Sequence, residues 1–298
     1  MIALVSAPTN LGLRPPQRGS VPGADKAPEA LREAGLFRRF MDGGASDAGV
    51  VLGGRYVDDD DTRADGQVRN EAAMVDHAQR LAARLTRILD AGSVPLVIGG
   101  DCSVLLGIGV ALARRGGTGL VHIDGHTDFR HPGNNDSCAS VAGEDLAAAV
   151  GLHWPAVADI DGLAPYFDRQ HVVHIGHRED DAEAAEARVT LGLVLSAAHA
   201  IEQSPEAVTA ATHQVAGTGY WLQIDIDVLD ASIMPAVDSP DPGGLDTSQL
   251  VALLCQLAPR AIGASVTVFD PDLDPDGRHA RMVTDVLVTG LSELGAGL

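Results

Sequence analysis

The stretch LVHIDGHTDFR, residues 120–130, decides the predicted fold of this chain. Its apolar first half is typical of a strand that is buried on both faces of a parallel sheet. Its second half places Asp124, His126 and Asp128 on one face while the chain stays extended, because side chains alternate along a strand. A buried strand that ends in two carboxylates and an imidazole predicts a functional site at its carboxyl end.

Two other stretches have the same design. The run VPLVI at 94–98 leads into GGDCS at 99–103, and WLQI at 221–224 leads into DIDVLD at 225–230. Open α/β sheets bind their ligands at the carboxyl ends of parallel strands, so these three ends are expected to meet. Oxygen donors dominate, with one imidazole and one thiol. This donor set indicates a divalent metal centre, and the number of carboxylates favours two ions.

Strand-like and helix-like segments alternate along the whole chain, without a linker or an internal repeat. This pattern predicts one α/β domain, residues 1–298, built on a parallel sheet. The predicted strands are 2–6, 50–52, 94–98, 119–123, 171–176, 220–225 and 264–269. The main predicted helices are 68–91, 104–114, 144–150, 247–258 and 282–293.

Composition excludes several classes of function. The formal net charge of −20 would repel phosphate backbones, so we expect no nucleic-acid partner. No apolar run approaches the length of about 20 residues that a membrane-spanning helix needs. The three cysteines, Cys102, Cys138 and Cys255, form no disulfide framework and indicate a reducing compartment. With no signal-peptide pattern at the N-terminus, the expected location is the cytoplasm.

The three strand ends resemble the metal-binding signatures of the ureohydrolases, the family of arginase and agmatinase. GGDCS at 99–103, DGHTD at 124–128 and DIDVLD at 225–230 resemble GGDHS, DAHxD and DxDxxDP. PEALR at 28–32 and SPDPGGL at 239–245 resemble two further segments of that family, in the same order. The resemblance implies a three-layer α/β/α fold with a mainly parallel, eight-stranded sheet. It also implies a homo-oligomer, a trimer or a hexamer.

The resemblance further implies a binuclear Mn²⁺ centre. One ion would take Cys102, Asp124, Asp128 and Asp225, and the other Asp124, His126, Asp225 and Asp227. Bridging carboxylates offset the repulsion between two divalent ions, and water shared by both loses a proton near neutral pH. Such water would attack the planar carbon of a guanidinium and release urea. His126 and Asp128 are therefore also predicted catalytic residues.

The signature histidine of the first segment is replaced here by Cys102. A thiolate binds divalent metals, but it is softer than imidazole and better suited to zinc or iron than to manganese. The alternative interpretation of Cys102 is a buried, inert thiol. Because of this replacement, the first site is expected to bind manganese less tightly, to stay empty or to hold another metal.

The proton-shuttle histidine of arginases is also missing. The matching position in this sequence is Ala142. Glu144, His131 and His177 are the candidates for the general acid in its place, and we take Glu144 as the predicted catalytic residue.

The third departure concerns substrate binding. The guanidinium-binding glutamate of the family corresponds here to Val268, whose apolar side chain cannot pair with a guanidinium. Asp270 or Asp272 could replace it from a shifted backbone, and Asp270 is the predicted substrate ligand. Otherwise the substrate carries something other than a plain guanidinium.

Two further residues are predicted to hold the tail of the substrate. Arg130 follows DGHTD at a position where an arginine could bind a carboxylate, although a surface arginine is the alternative. Glu179 and Asp181 resemble the acidic loop that holds the α-amino group in arginases, and Asp181 is the better candidate.

Four residues in or near the signatures are given structural roles. Asp101 and Asp230 lie within signatures but are expected to support the loops. His122 and His174 alternate with apolar residues in strands, so packed core histidines are expected rather than metal ligands.

The leading functional hypothesis is a metal-dependent hydrolase of a guanidino or amidino C–N bond. A modified guanidine, such as an N-hydroxylated arginine, is a reasonable substrate given the changes at Cys102, Ala142 and Val268. A second hypothesis is a family member that binds metal or ligand without catalysis. A deacetylase-like amidohydrolase is a third, although the histidine pair of that group is not visible.

Overall fold

The computed structural model describes residues 1–298, and its centre is an eight-stranded sheet in which all neighbouring strands are parallel. The strands are β1 (Ile2–Ala7), β2 (Ser46–Val50), β3 (Val94–Gly99), β4 (Leu120–Ile123), β5 (Val172–His177), β6 (Leu193–Ser196), β7 (Tyr220–Asp225) and β8 (Ala261–Thr267). Their order across the sheet is β2-β1-β3-β8-β7-β4-β5-β6. The predicted parallel α/β class with eight strands is confirmed.

Eleven α-helices connect or flank the strands. They are α1 (Ala27–Glu33), α2 (Leu36–Asp42), α3 (Glu71–Asp90), α4 (Val104–Ala113), α5 (Asp145–Ala149), α6 (Pro155–Ala158), α7 (Ala184–Thr190), α8 (Ala197–Glu202), α9 (Pro205–Ala216), α10 (Thr247–Leu257) and α11 (Arg278–Gly290). Short 3-10 turns lie at Gly23–Lys26, Val141–Gly143, Ile160–Gly162, Arg169–His171, Ile226–Val228, Ala258–Arg260 and Pro271–Leu273. None of the helices combines the length and apolar composition required to cross a membrane.

The helices form two layers, one on each face of the sheet. Successive strand side chains point to opposite faces, so each strand supplies two cores. Leu4 of β1 lies in the core that includes α1, α2, α10 and α11. Ala3 and Val5, its neighbours in the chain, lie in the other core, with α3, α4 and α5. The α/β/α arrangement predicted from the family resemblance is confirmed.

Helix α3 shows why the local sequence forms its element. Met74, Ala78, Leu81 and Leu85 recur at helical spacing and are all buried. Burying the larger of these side chains stabilises the fold by about 1.5–3 kcal/mol each. A Cβ atom on Gly107 of α4 would lie 2.8 Å from the carbonyl oxygen of Ala78, so α3 and α4 pack closely only because that residue is glycine.

Several predicted boundaries were wrong, and neither edge strand of the sheet was predicted correctly. The strand predicted at 50–52 lies earlier, as β2, and β6 was not predicted. Both are edge strands with partly exposed side chains, so their sequences lack a strong apolar pattern. The strand predicted at 264–269 ends at Thr267, because Val268 adopts a φ of 74° that a strand does not allow. The C-terminal helix predicted at 282–293 begins earlier, at Arg278.

We predict that His77 makes the stability of the fold depend on pH. This residue of α3 is buried, and its Nε2 lies 3.1 Å from the carbonyl oxygen of Val51. Burial lowers the pKa of His77 from the ordinary 6.5 to about 4. Between these values the unfolded chain binds a proton that the folded chain does not, so the free energy of unfolding falls as the pH falls.

Urea denaturation in the presence of a chelator, at pH 7.5 and pH 5, measures this effect. The loss of unfolding free energy should be smaller by about 2 kcal/mol in His77→Gln than in the wild type. The exposed His171 supplies the control, and His171→Gln should keep the wild-type dependence. An unchanged pH dependence in His77→Gln would contradict the prediction.

Candidate metal centre

The site lies where the order of strands in the sheet departs from their order in the chain. Strands β3 and β4 follow each other in the chain, but β8 and β7 lie between them in the sheet. Ligands of open α/β sheets bind at such switch points. Cys102 follows β3, Asp124 follows β4 and Asp225 ends β7, and all three side chains are buried. The structure therefore brings together the three stretches that the sequence singled out.

The loop after β3 is held against the end of β1. A Cβ atom on Gly100 would lie 1.7 Å from the carbonyl oxygen of Thr9, so any other residue would displace the backbone. Asp101 accepts hydrogen bonds from the backbone N–H groups of Gly12, at 2.7 Å, and Ser103, at 2.9 Å. The contacts of Asp101 agree with the supporting role predicted for it.

Asp230, the other signature carboxylate expected to be structural, also supports a loop. It accepts hydrogen bonds from the backbone N–H groups of Ser232, at 2.9 Å, and Gly243, at 2.7 Å. Hydrogen bonds from Ser232 and these backbone groups lower the pKa of Asp230 to about 2. Asp230 does not line the cavity described below.

Backbone N–H groups orient the carboxylates of the cluster. Asp124 Oδ1 accepts from the N–H of His126 at 2.7 Å, and Asp225 Oδ1 accepts from the N–H of Asp227 at 2.8 Å. Asp227 Oδ1 accepts from the N–H of Gly125 at 2.9 Å. Each bond fixes one carboxylate oxygen and leaves the other directed at the cluster. The second oxygen of Asp124 is buried and has no hydrogen-bond partner.

The ligand atoms form overlapping groups. Atoms of Cys102, Asp124 and Asp225 lie within 4.8 Å of one another, and so do atoms of Asp124, His126 and Asp227. Asp124 belongs to both groups, as a bridging carboxylate would. Two divalent ions could be held in this arrangement. Each group contains three of the four residues in one of the predicted ligand sets, without Asp128 in the first and without Asp225 in the second.

Two more groups adjoin these. Cys102 and Asp128 lie within 4.8 Å of Asp145, and His122 lies within the same distance of Asp124 and Asp128. Sequence reasoning missed Asp145 and placed His122 in the core. An acidic residue directly after Glu144 was the available signal for Asp145, but nothing local showed that it is buried beside β4.

The buried carboxylates require positive charge. Burial and the neighbouring carboxylates raise the pKa values of Asp124, Asp128 and Asp225 well above the ordinary range. The three groups would therefore retain protons unless cations offset their repulsion. The crowded oxygen donors and the unpartnered oxygen of Asp124 fit divalent cations.

Cys102 is buried among polar groups of the cluster. Its Sγ donates to Asp225 Oδ2 at 2.8 Å and lies 3.1 Å from Thr267 Oγ1. Burial and the carboxylate of Asp225 raise the pKa of the thiol well above the ordinary value. The ligand role of Cys102 stays a prediction.

His126 connects the cluster to the surface. Its Nδ1 lies 2.9 Å from Asp227 Oδ2, and its Nε2 lies 3.1 Å from Asp241 Oδ2. Burial alone would lower the pKa of His126, but the two carboxylates outweigh it and raise the pKa to about 9. Asp241, which the sequence reasoning did not select, orients the imidazole from the outside.

A cavity of about 310 Å³ opens above the cluster. This volume lies at the lower end of the range for small-molecule sites. Asp128, Asp225, Asp227 and His126 line its base. Its other lining residues include Arg14, Phe129, Arg130, Ser140, Ala142, Asp181, Glu183, Asp238 and Val268. Cationic and anionic side chains thus both face a space of the size of one small molecule.

Arg130 is held at the cavity by Glu144. The Nε of Arg130 donates to Glu144 Oε1 at 3.2 Å, and its terminal nitrogens have no hydrogen-bond partner. Glu144 is fully buried and accepts further bonds from the N–H groups of Ala139 and Ser140 and from His153 Nε2, at 2.9 Å. Burial would raise the pKa of Glu144, but these bonds lower it. Glu144 does not line the cavity, so we assign it the positioning of Arg130 instead of the predicted proton donation.

The other candidates for the general acid also lie outside the cavity. His131 Nε2 lies 3.1 Å from Glu186 Oε1, and His177 is buried in β5. Ala142 lines the cavity, and His126 is the one histidine that does so. No second imidazole is therefore available to the substrate.

Val268 and Asp270 differ from expectation. Val268 lines the cavity with a φ of 74°, which is unusual for a β-branched residue. The chain beyond it turns away, and Asp270 accepts from the N–H groups of Gly23, at 3.2 Å, and Asp272, at 2.9 Å. Asp272 in turn pairs with Lys26. Neither aspartate reaches the cavity, so we do not assign Asp270 the predicted role in substrate binding.

Acidic side chains also line the cavity. One of them is Asp181, the residue predicted to hold the α-amino group of the substrate. Asp181 accepts from the N–H and the hydroxyl of Thr127, both at 2.8 Å, and lines the cavity, whereas Glu179 does not. Glu183 and Asp238, which were not predicted, lie on the same cavity. Asp238 is solvent-exposed where it lines the cavity.

Comparisons with known proteins agree with this geometry. The model of the arginase family matches residues 1–291. Arginase from Bacillus caldovelox is 27% identical over 295 residues, which are 96% of this chain and 96% of the relative. Formimidoylglutamase from Aeromonas hydrophila subsp. hydrophila is 30% identical over 237 residues, which are 73% of this chain and 68% of the relative.

The similarity extends to three dimensions. The crystal structure of the Bacillus caldovelox arginase superimposes with a TM-score of 0.86 at 25% identity, covering 98% of this chain and 97% of that chain. The family resemblance predicted from the three strand-end signatures is confirmed. The protein belongs to the arginase family, the generally metal-dependent hydrolases that cleave C–N bonds of linear amidines.

Proposed function

We propose that this protein hydrolyses the guanidino C–N bond of an arginine-like amino acid or of a modified guanidine, and releases urea or a substituted urea. One observation carries the proposal. The buried carboxylate cluster forms the base of a cavity that is lined both by unpaired arginine nitrogens and by further carboxylates. Such a cavity suits a small zwitterion with a cationic head directed at the cluster.

We further propose two Mn²⁺ ions as the cofactor, because oxygen donors dominate the cluster. The residues that would hold them are Cys102, Asp124, His126, Asp128, Asp225 and Asp227. When bound, such ions lower the pKa of water and polarise the group under attack. A homo-oligomer, as a trimer or a hexamer, and a cytoplasmic location remain part of the proposal.

The two arginines of the cavity would bind the carboxylate of the substrate. Arg14 forms no ion pair in the structure, and the terminal nitrogens of Arg130 are free because Glu144 engages only its Nε. Arginine suits a carboxylate because its planar fork donates two parallel hydrogen bonds. Asp181 and Glu183 would bind an α-ammonium group. Arginine and formimidoylglutamate, indicated by the names of the two relatives, are both amino acids.

His126 and Asp128 would act on the reacting group, since both lie at the base of the cavity. The carboxylate of Asp128 would accept a proton from the attacking water. His126 would pass protons outward, because its Nε2 faces the half-exposed Asp241. Ala142 and Val268 supply neither an imidazole nor a carboxylate. The missing imidazole at Ala142 favours a modified guanidine, such as an N-hydroxylated arginine, because an altered leaving group relaxes the demand for a proton shuttle.

The first prediction tests the reaction. Wild-type protein loaded with manganese should release urea or a substituted urea from at least one arginine-like guanidine. Asp225→Asn should reduce turnover by about a hundredfold or more, because it removes a bridging carboxylate. Colorimetric or mass-spectrometric detection of the urea measures both.

Asp230→Asn is the matched control for that variant. Asp230 lies in the same signature but supports a loop outside the cavity. Its substitution should leave turnover within about threefold of wild type. Unchanged turnover in Asp225→Asn would contradict the site assignment. Metal-loaded wild type that cleaves no guanidine would favour the alternative, a family member that binds metal without catalysis.

A second prediction concerns the carboxylate of the substrate. Arg14→Gln and Arg130→Gln should each raise KM for a carboxylate-bearing guanidine by about tenfold or more, because each removes a charged hydrogen-bond donor. For the decarboxylated counterpart the same substitutions should change KM little. Arg18 lies in the same loop as Arg14 but outside the cavity and pairs with Asp61. Arg18→Gln should behave as wild type; equal effects on both substrates would refute carboxylate binding.

A third prediction concerns Cys102. We expect Cys102→His to bind manganese more tightly than wild type by about tenfold, since imidazole is a better ligand for this ion than a neutral thiol. Metal analysis by mass spectrometry after graded chelation gives the affinity. Cys255→His, at an exposed position, should not change it. Equal affinity in wild type and Cys102→His would show that the position does not ligate the metal.

A further inference from the structure

Asp145 is a buried carboxylate that the proposed mechanism does not use. It begins α5 and is fully buried, and neither of its oxygens has a hydrogen-bond partner. Burying an unpaired carboxylate costs several kcal/mol. By contrast Glu144, the preceding residue, is equally buried but accepts hydrogen bonds from four residues. The fold therefore leaves Asp145 in need of a partner that the protein itself does not supply.

The space in front of Asp145 belongs to the metal cluster. A carboxylate oxygen of Asp145 lies within 4.8 Å of ligand atoms of Cys102 and Asp128. These are two of the residues proposed to hold the ion on the side of β3. The carboxylate of Asp145 therefore faces the same space as the thiol of Cys102 and the carboxylate of Asp128.

An imidazole faces the same space independently. His122 Nε2 is fully buried, lies 3.6 Å from Asp145 Oδ1 and 3.5 Å from Asp124 Oδ2, and has no hydrogen-bond partner. Both distances exceed those of ordinary hydrogen bonds. The other ring nitrogen, Nδ1, lies 3.0 Å from His174 Nδ1. A proton on Nδ1 of His122, donated to His174, leaves a lone pair on Nε2 that points at the carboxylates.

We propose that Asp145 and His122 are additional ligands of the metal ion on the Cys102 side. The inference rests on the metal centre of the proposed function and adds two residues to it. A carboxylate and an imidazole are ordinary ligands of Mn²⁺, whereas sulfur is a softer donor than this ion prefers. Asp145 and His122 would add hard donors on the side of the site where Cys102 lies. Neither residue belongs to the strand-end signatures DGHTD and GGDCS.

Manganese titration of chelator-stripped full-length protein tests the proposal. Calorimetry and metal analysis should give two Mn²⁺ per chain in wild type. In Asp145→Asn, one of the two should bind about tenfold more weakly or be lost. Glu144 is an equally buried carboxylate that directly precedes Asp145, so Glu144→Gln is the matched control and should bind manganese as wild type does. Anomalous diffraction at the manganese edge should place an ion in contact with Asp145 and His122.

A thermal melt separates metal binding from folding. Without metal, Asp145→Asn should unfold at the wild-type temperature or above it, because the substitution removes a buried negative charge. The increase in Tm on adding MnCl₂ should be smaller in Asp145→Asn than in wild type and in Glu144→Gln.

Wild-type manganese affinity in Asp145→Asn would overturn the inference. So would diffraction that shows only water beside Asp145, with both ions elsewhere, or wild type that binds no manganese. Neither of the first two outcomes affects the proposed reaction, which urea release decides. The opposite result is also possible to distinguish. If Asp145→Asn binds manganese more weakly but no guanidine is turned over, the assignment of Asp145 as a metal ligand stands and the proposed reaction is rejected.

Discussion

The structure depends on the repulsion between carboxylates that are crowded, without water, at one edge of the sheet. Asp124, Asp128, Asp225 and Asp227 are all buried there, and Asp145 adjoins them. In a medium of low polarity such charges persist only when cations or hydrogen-bond donors offset them. Backbone N–H groups orient three of these aspartates, and one imidazole, His126, pairs with Asp227. These donors do not offset the repulsion among the carboxylates, and divalent cations would do so.

The parallel sheet holds these carboxylates close together despite their mutual repulsion. Parallel strands deliver their carboxyl ends to one edge, and two helical layers exclude water from both faces. Because Gly100 has no side chain, the loop after β3 can pass directly against Thr9. At the end of β8, Val268 adopts an unusual φ beside the cavity. The free energy gained by burying the two hydrophobic cores offsets the cost of these strained and charged features. The cavity above the cluster is lined by arginines and further carboxylates, which is the basis of the proposed zwitterionic substrate.

Much of the site could be predicted from short stretches. Cys102, Asp124 and Asp225 each follow an apolar run, and a run that ends abruptly in such residues is informative without any tertiary knowledge. Glu144 and Asp270 do not line the cavity, which the sequence did not reveal. Both are acidic residues near the signatures, but one is enclosed by Arg130 and His153 and the other is turned toward Gly23. The direction in which each side chain points and the groups that enclose it depend on segments far away in the chain. A local sequence pattern therefore could not reveal them.

The parallel α/β class, the family resemblance and the candidate ligands in the three signatures could be predicted from the sequence alone, because hydrophobic periodicity and residue type are local properties. Only the tertiary structure decided which other polar groups share the buried space. His122 has the pattern of a core residue, yet its Nε2 faces Asp124 and Asp145, and Arg14 comes from a remote loop to line the same cavity as Arg130. These neighbours are set by the packing of distant segments and by the order of strands in the sheet. That order is a property of the whole fold, which no single stretch of sequence contains.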